Sequence, residues 1–266
     1  MKTFPHTQSP LKSKLTRLEK TIGTWLTIPH QSVVEILASA GFEWMVIDME
    51  HAAIDIQTLQ NIIGHIQGNG MEALVRVSKN EEIIIKHAMD AGANGIIVPM
   101  INTNDDAKKA VGFVKYPPAG CRGVGLSRAQ HYGTGFDSYK KWLEKEAVII
   151  MQIEHIDSVN NLENILKVDC IDGIIVGPYD LSASMGMPGE YSRTEVQQAI
   201  SEIEKITLQA RKSLGTHVVS SDSSQLLSAF NRKYNFFAFG IDFFFMGDKA
   251  REEMLKIKKS ESWNQK

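Results

Sequence analysis

The chain has 266 residues, of which 43% are hydrophobic, so it is long enough to bury a substantial core and does not have the composition of a disordered segment. Its 29 basic and 31 acidic residues give a formal net charge of −2, which creates no overall field that would attract nucleic acid or an anionic membrane. The expected partner is therefore a small molecule, with no nucleic acid and no membrane.

The two cysteines, Cys121 and Cys170, are too few for a disulfide framework and too far apart for a zinc knuckle. We interpret them as reduced thiols of a cytoplasmic protein. Met1–Lys20 lacks the apolar stretch of a signal peptide, and no apolar run approaches the roughly 20 residues of a membrane span. Residues 1–14 are expected to be a poorly ordered or irregular arm of a single domain, 1–266.

Short apolar runs rich in Val, Ile, Phe and Met recur along the chain, and a polar cap and a segment of helical period follow each run. Most runs are apolar without alternation, as is typical of parallel strands that are covered on both faces. The eight predicted strands are, in chain order, Gly23–Ile28, Trp44–Asp48, Ala73–Val77, Gly95–Met100, Val148–Glu154, Gly173–Gly177, Gly215–Ser220 and Phe236–Ile241.

Polar residues mark the predicted helices between these strands. Four helices are expected to begin at an Asp or Asn cap, namely Asp55, Asn80, Asn104 and Asp157. Two are expected to end at Ala-Gly pairs, Ala40-Gly41 and Ala91-Gly92, where glycine can take a left-handed conformation. A last helix is predicted at Asp248–Lys259, with Ala250, Met254 and Ile257 on one apolar stripe.

Strand and helix alternate regularly, which indicates a parallel sheet, and eight such units in a chain of this length fit a single (β/α)8 TIM barrel. A doubly wound open sheet is the alternative architecture. Two segments interrupt the pattern, a long Gly-rich loop at Pro117–Phe136 and the stretch Tyr179–Arg193 that follows the sixth strand. Long loops in compact domains are usually functional or mobile.

Charged and polar side chains collect where the predicted strands end, which is the end of a barrel that carries the active site. Each costs desolvation energy inside an apolar strand unless it is paired or binds something. They are Asp48, Glu50 and His51 after the second strand, Arg76 on the third, Gln152 and Glu154 on the fifth, Asp180 after the sixth and Asp242 after the eighth.

Each of these residues also has a purely structural interpretation. Arg76 could pair with a neighbouring carboxylate as part of the scaffold, and Glu154 and Asp180 could each cap the helix that follows. His51 could be an ordinary loop histidine. Asp90, which lies in the third predicted helix, would ordinarily be a solvated surface residue.

Taken together, two carboxylates, a histidine and an arginine at adjacent strand ends could supply metal ligands, a base and a clamp for an anion. Glu154 and Asp180 as ligands suit Mg²⁺ first, with Mn²⁺ or Co²⁺ as alternatives, since hard cations of this kind prefer oxygen and keep bound water. His155, next in sequence, is a weaker candidate for a third ligand. No predicted strand contains a lysine, which argues against a Schiff-base aldolase.

Six ordered stretches of this sequence resemble the HpcH/HpaI aldolase family, the metal-dependent (class II) pyruvate aldolases of the phosphoenolpyruvate/pyruvate superfamily, which includes 4-hydroxy-2-oxoheptanedioate aldolase. The resemblance covers about Lys14 to Glu252. The stretches are Phe42–His51, Leu74–Val77, Val98–Met100, Tyr116–Gly125, Gln152–Glu154 and Gly177–Ser182.

The resemblance implies a role for each matching residue. Glu154 and Asp180 would be the metal ligands, and Gln152, the Tyr179 backbone and Asp180 would bind the 2-oxo acid. Arg76 would stabilise charge on the enolate and on the aldehyde oxygen. His51 would be the base, and Asp90 would raise its basicity.

The implied reaction is the reversible cleavage of a 4-hydroxy-2-oxo acid to pyruvate, or a close 2-oxo acid, and an aldehyde. The loop after Gly125 and the end of the seventh strand, His217–Ser221, depart from better-known members, and both lie where the aldehyde would be recognised. The alternatives are a CoA-ester lyase of the citrate lyase β or malyl-CoA type and a non-catalytic ligand-binding barrel. A homo-oligomer is expected, a hexamer by resemblance, with the last helix docked on a neighbouring barrel.

Overall fold

Eight parallel strands close into a barrel in chain order, and β8 pairs with β1 to complete the ring. The structure, a computed structural model, describes residues 8–260 and Trp263. The predicted (β/α)8 barrel is therefore confirmed, and the open sheet is excluded. The strands are β1 Thr21–Leu26, β2 Trp44–Asp48, β3 Glu72–Arg76, β4 Gly95–Val98, β5 Val148–Ile153, β6 Gly173–Val176, β7 Ser213–Val218 and β8 Phe236–Ile241.

The predicted bounds of β2 and β8 match the structure. The other six strands differ by one or two residues, at one end or at both ends. All six strands end earlier than predicted, because the backbone turns away from the neighbouring strand into a loop. Met100, for example, has a left-handed backbone with φ 54°, so β4 ends before it. Apolar character continues into such loops, and composition alone therefore does not mark the last paired residue.

Twelve α-helices and one 3-10 segment lie among the described residues. They are α1 Pro10–Thr16, α2 Gln31–Ser39, α3 Ile56–Gly68, α4 Glu82–Asp90, α5 Asn104–Val114, the 3-10 segment Arg128–Gly133, α6 Phe136–Lys145, α7 Ile156–Asn160, α8 Leu162–Ile165, α9 Pro178–Ser184, α10 Thr194–Gln209, α11 Ser223–Ala229 and α12 Asp242–Lys259. No helix in this described part of the chain is long and apolar enough to cross a membrane.

One predicted helix cap is confirmed and three are wrong. Asp55 caps α3 and accepts a hydrogen bond from the Thr58 amide at 2.7 Å. The N-caps of α4, α5 and α7 are Glu81, Thr103 and His155 rather than Asn80, Asn104 and Asp157.

The reason for the error at α5 is visible in its capping box. The Thr103 hydroxyl accepts from the Asp106 amide while Asp106 accepts from the Thr103 amide, and this reciprocal pair fixes the start one residue before Asn104. Both predicted Ala-Gly ends are confirmed, since Gly41 and Gly92 follow α2 and α4 with φ of 90° and 97°.

Large side chains fill the inside of the barrel. Trp44 stacks on Phe236 with ring centroids 4.3 Å apart, and a Cβ at Gly23 would lie 2.1 Å from the Trp44 ring. Because strand residues two apart share a face, the inner row that contains Trp44 and Val46 continues to Asp48. The same alternation leads from Leu74 to Arg76 on β3 and from Ile150 to Gln152 on β5, so these inner rows also pass from apolar to polar residues.

The N-terminal arm is a structured plug, and the expectation of an irregular arm over residues 1–14 is wrong for the described part. Helix α1 begins at Pro10, and Leu11 and Leu15 pack into the cluster inside the barrel. The Ser9 hydroxyl lies 2.7 and 2.6 Å from the two oxygens of Glu72, at the start of β3. A buried carboxylate and two leucines therefore hold this segment; residues 1–7 lie outside the described residues.

The two irregular segments contain more structure than their sequence indicated. The loop at Pro117–Phe136 holds the 3-10 segment and the fully buried Arg122, and the stretch at Tyr179–Arg193 is partly helix α9. The last helix starts at Asp242, six residues before the predicted Asp248, because it follows β8 directly.

Candidate active site

A cavity of about 100 Å³ opens at the carboxyl ends of the strands. Four of the predicted site residues line it, namely Arg76, Gln152, Tyr179 and Asp180. The barrel brings them together because each lies at, or just beyond, the carboxyl end of a strand, and the carboxyl ends of all eight strands lie at the same end of the barrel. Two further wall residues are Trp25, for which the sequence predicted no role, and His217, which begins the stretch His217–Ser221 that was expected to recognise the aldehyde.

Arg76 is held in place by Asp48, its register partner on the adjacent strand β2. Its Nε donates to Asp48 Oδ1 at 3.0 Å and its Nη2 donates to Oδ2 at 2.6 Å. The guanidinium also lies 4.4 Å from the Trp25 ring centroid, which adds a cation–π contact. The scaffold pairing considered for Arg76 is therefore present, and the same side chain also forms part of the cavity wall.

The charge state of Asp48 follows from this pairing. Burial acts to raise the pKa of Asp48, but Arg76 and the amides of Glu50 and His51 outweigh it, so the pKa lies below its ordinary value. Asp48 is thus an anion that neutralises and orients Arg76. The sequence placed Asp48 at a strand end without giving it this role.

Glu154 follows β5 and is 97% shielded from solvent, with 3% exposure. Its Oε1 accepts from the Met100 amide at 2.8 Å, and its Oε2 accepts a short hydrogen bond from Gln152 Nε2. Gly177 makes room for it, since a Cβ there would lie 2.9 Å from Glu154 Cβ. Glu154 does not cap the next helix, because His155 does so.

Burial raises the pKa of Glu154, and the negative charge of Asp180 adds to that effect. Asp180 lies in the first turn of α9, is exposed and lines the cavity. No side-chain cap hydrogen bond is present at the start of this helix, so capping does not account for Asp180. Glu154 hydrogen-bonds the cavity residue Gln152 and is repelled by Asp180, so the two carboxylates form a site that a cation would stabilise.

The donor set fits a hard divalent cation. Glu154 and Asp180 offer carboxylate oxygens, and the neutral Gln152 lies beside them. His155 is committed elsewhere, because its Nδ1 accepts from the Asp157 amide at 3.1 Å as the cap of α7. Within residues 8–260 no cluster of three or more His, Cys, Asp or Glu could enclose a metal, so a cation here would keep water or substrate oxygens as ligands.

His51 lies on the loop after β2, and its side chain is 68% exposed. Its Nε2 is 3.8 Å from Glu50 Oε2, and the same Glu50 oxygen is 3.3 Å from Arg76 Nε. Glu50 therefore connects the histidine to the arginine. Burial raises the pKa of Glu50 against the opposing charge of Arg76, and the negative charge of Glu154 raises it further.

Asp90 lies at the end of α4, and its contacts are with a different cluster. Its Oδ1 is 3.8 Å from Nη2 of Arg122, which is buried and donates to the Tyr139 hydroxyl at 2.7 Å. Burial raises the pKa of Asp90 despite Arg122. Neither a hydrogen bond nor an ion pair joins Asp90 to His51 among the described residues, so their pairing stays a prediction.

Tyr179 turns its ring outwards, towards Tyr191, with centroids 5.2 Å apart, and is 53% exposed. Its backbone amide belongs to the first turn of α9, where amides have no acceptor within the helix. An amide in this position is available to an oxygen of a bound ligand, which is the role predicted for the Tyr179 backbone.

Trp25 was not predicted as a site residue, and His217 was predicted only as part of the stretch His217–Ser221, but both have a signal in the strand pattern. Each lies two positions after a glycine on the inner face of its strand, after Gly23 and Gly215 respectively. Counting inward-facing positions to the end of every strand would have found both. Trp25 and His217 are both uncharged at neutral pH, so neither stands out in the sequence as a charged strand-end residue does.

Comparison with known proteins identifies the family of the chain. The family model described as HpcH/HpaI aldolase/citrate lyase matches residues 21–247. The chain is 33% identical over 252 residues to a 2-keto-3-deoxy-L-rhamnonate aldolase of Escherichia coli, which covers 94% of this chain and 93% of that protein.

Among solved structures, an HpcH/HpaI aldolase/citrate lyase family protein from Burkholderia cenocepacia J2315 has a TM-score of 0.89 at 30% identity, covering 95% of this chain and 100% of the other. A citrate lyase β subunit from Mycobacterium tuberculosis has a TM-score of 0.58 at 11% identity, covering 86% and 94%, which shows the fold alone. With a family match across residues 21–247 and a relative 33% identical over 94% of this chain, the chain belongs to the HpcH/HpaI aldolase/citrate lyase family.

Proposed function

We propose that this protein is a divalent-metal-dependent aldolase that reversibly cleaves a 4-hydroxy-2-oxo acid to pyruvate, or a close 2-oxo acid, and an aldehyde. The observation that carries the proposal is the pair of interacting carboxylates beside Arg76: Asp180 lines the same cavity as Arg76, and Glu154 is hydrogen-bonded to the cavity residue Gln152. The aldolase relatives support a carbon–carbon lyase, and the E. coli relative is named for a 2-keto acid.

Binding of the 2-oxo acid would use the wall around β5 and β6. Glu154 and Asp180 would hold the cation, which as a Lewis acid would polarise the 2-oxo group of the substrate. The Gln152 side chain and the Tyr179 amide would donate hydrogen bonds to the substrate, since both lie on the same wall of the cavity. This arrangement orients the acid end and leaves the rest of the substrate towards β7 and β1.

Charge and proton movement would be handled by the opposite wall. In the cleavage direction an oxygen loses a proton as the bond between C3 and C4 breaks, and C3 is left as part of an enolate. Arg76 is a permanent cation fixed by Asp48, so it is suited to stabilise that oxygen charge. His51 is exposed beside this group, where it could take the proton and exchange it with solvent.

A synthesis assay tests the proposal directly. Purified protein would be incubated with Mg²⁺ or Mn²⁺, pyruvate and a panel of aldehydes, and the products identified by mass spectrometry. We expect 4-hydroxy-2-oxo acids with the mass of pyruvate plus aldehyde. Absence of any such adduct, with each metal and every aldehyde, would contradict the proposal.

Exposed residues support two further proposals, one for the oligomeric state of the protein and one for its cellular compartment. Helix α12 exposes Met246, Met254, Leu255 and Ile257 at 60%, 49%, 53% and 47%. Met246, Met254 and Ile257 share one side of this helix, and exposed apolar residues there support docking on a second copy of the chain; we propose a homo-oligomer, of six subunits as the family resemblance implies. Cys121 and Cys170 are free, exposed thiols, which suits the reducing cytoplasm.

A further inference from the structure

His217 is the neutral polar side chain on the β7 wall of the cavity. It follows Gly215 on the inner face of β7, and its ring stacks on Trp25 with centroids 4.9 Å apart and planes 27° from parallel. The same Trp25 ring also contacts Arg76, whose guanidinium carbon lies 4.4 Å from the ring centroid. The imidazole is therefore held in a fixed orientation at the cavity, beside the group that would stabilise oxygen charge.

The hydrogen bond of His217 determines which of its nitrogens is free. Nε2 is 3.3 Å from the Gly240 carbonyl oxygen, and because a carbonyl only accepts, Nε2 must carry the hydrogen. In the neutral ring Nδ1 is then an acceptor, and it makes no hydrogen bond with the described residues. Burial, together with the positive charge of Arg76, lowers the pKa of His217 to about 4, so the ring is neutral at physiological pH.

The surroundings limit what could bind to this nitrogen. Trp25, Ile175 and Val219 make the nearby lining apolar, and Arg76 offers only donors. A ligand group that donates to Nδ1 must therefore be a donor that carries no positive charge, since Arg76 would repel a cation. A hydroxyl group satisfies both conditions.

We propose that His217 makes this cavity selective for a substrate that carries a hydroxyl group next to the reacting carbonyl, with Nδ1 as the acceptor of its hydrogen bond. The inference rests on the proposed aldolase function and specifies its substrate class. The hydroxyl could belong to the acceptor, as in an α-hydroxyaldehyde, or to the 2-oxo acid donor, as in a 3-hydroxy-2-oxo acid. The chemistry that His217 recognises is the same in both.

Pairs of compounds that differ only by a hydroxyl in place of a methyl group separate the two sources. In the acceptor arm, kcat/KM is measured for glycolaldehyde and for propanal with pyruvate. In the donor arm, hydroxypyruvate and 2-oxobutanoate are compared, by turnover with one aldehyde and by calorimetric binding in the presence of Mn²⁺. The proteins are the wild type, His217→Leu, His217→Asn and the control His65→Leu, which makes the same replacement on the outer helix α3.

We expect the wild type to prefer the hydroxyl compound by about 3- to 10-fold in one arm, the usual value of one neutral hydrogen bond. His217→Leu should abolish that preference, His217→Asn should restore part of it through its amide oxygen, and His65→Leu should leave it unchanged. A merely structural role for His217 would lower both rates together and leave their ratio unaltered.

The outcomes separate this inference from the proposed function. If the protein synthesises adducts but the ratio in His217→Leu equals that of the wild type in both arms, the hydroxyl subsite is wrong and the aldolase stands. If no adduct forms but hydroxypyruvate binds more tightly than 2-oxobutanoate only when His217 is present, the subsite stands and the reaction is wrong. If neither turnover nor selective binding is observed, both the aldolase proposal and the hydroxyl subsite are wrong.

Discussion

Arg76 on β3 and Asp48 on β2 form a bidentate ion pair. Arg76 Nε donates to Asp48 Oδ1 at 3.0 Å, and Arg76 Nη2 donates to Asp48 Oδ2 at 2.6 Å. The two hydrogen bonds fix the plane of the guanidinium as well as its position. A third contact, to Glu50 Oε2 at 3.3 Å, comes from the loop that carries His51. The orientation of Arg76 at the cavity therefore depends on a carboxylate that never needs to touch the substrate.

This relationship predicts that shape matters as much as charge at position 76. Arg76→Lys keeps the positive charge but cannot bind Asp48 with two parallel bonds, and we expect kcat to fall by about 10²–10³-fold, as for loss of a group that stabilises oxygen charge. Asp48→Asn should also lower kcat, by less, because Arg76 remains but loses its anionic partner. Steady-state kinetics on both variants checks this; unchanged kcat in Arg76→Lys would show that Arg76 serves the scaffold alone.

Metal removal should abolish activity reversibly. Oxygen ligands from two carboxylates hold a divalent cation weakly enough for a chelator to extract it. We expect EDTA to eliminate adduct formation, and Mg²⁺, Mn²⁺ or Co²⁺ to restore it after the chelator is removed. Full activity in the chelated protein, together with inactivation by borohydride in the presence of pyruvate, would instead indicate a Schiff-base lysine.

The arm should respond to pH through Glu72, which binds Ser9 and the Leu11 amide. Burial raises the pKa of Glu72 above its ordinary 4.5 despite these hydrogen bonds. The folded state thus holds this proton more tightly than the unfolded state, so the stabilisation is complete below the unfolded pKa and is lost as pH rises through the folded one.

The free energy of unfolding of the wild type, relative to Glu72→Gln, should therefore decline as pH rises from the ordinary carboxyl pKa of 4.5 through the higher pKa of Glu72 in the folded protein. Urea unfolding at several pH values measures the difference. The exposed Glu163→Gln serves as the control and should show no such trend. A wild-type advantage that grows with pH would mean that Glu72 is held as a stabilised anion.

The exposed stripe on α12 predicts an assembly that one charge can disrupt. Met254 and Ile257 lie one turn apart and are both about half exposed. Ile257→Glu should shift the protein to smaller species in light scattering, whereas Lys249→Glu on the same helix should have a weaker effect. A wild-type monomer at micromolar concentration would contradict the proposed oligomer.

The barrel could be predicted from sequence because its signal is repeated eight times. Each apolar run is bounded by turn residues, and an error of one or two residues at Met100 or Glu154 does not change the number of strands. Helix starts were less predictable. At Thr103 the cap is chosen by a reciprocal pair of hydrogen bonds, and several nearby polar residues offer equally plausible starts in the sequence.

The candidate site was predictable as far as its charged residues, because a charge at an inward strand end requires a reason. The sequence could not show that Arg76 contacts the Trp25 ring, or that Glu50 lies between Arg76 and His51. These contacts depend on the directions of side chains from three elements. Asp90 illustrates the limit more clearly. Its role came from resemblance, and in the described chain it faces Arg122.

The most direct test of the proposed site separates binding from chemistry in single variants. Pyruvate binding in the presence of Mn²⁺ is measured by calorimetry, and turnover is measured on the same samples. Glu154→Ala and Asp180→Ala should abolish metal-dependent pyruvate binding, because each removes a charged ligand. Asp90→Asn should keep binding and lose less activity than any change at His51.

His51→Ala is the decisive variant. We expect it to bind Mn²⁺ and pyruvate as the wild type does while turnover falls by about 10²–10⁴-fold, the usual contribution of a positioned base. Its side chain is 68% exposed, lies beside Glu50 and is not among the residues that line the cavity, which is why binding should persist. If His51→Ala loses pyruvate binding as completely as Asp180→Ala does, His51 belongs to the binding site and the division of roles proposed here is wrong.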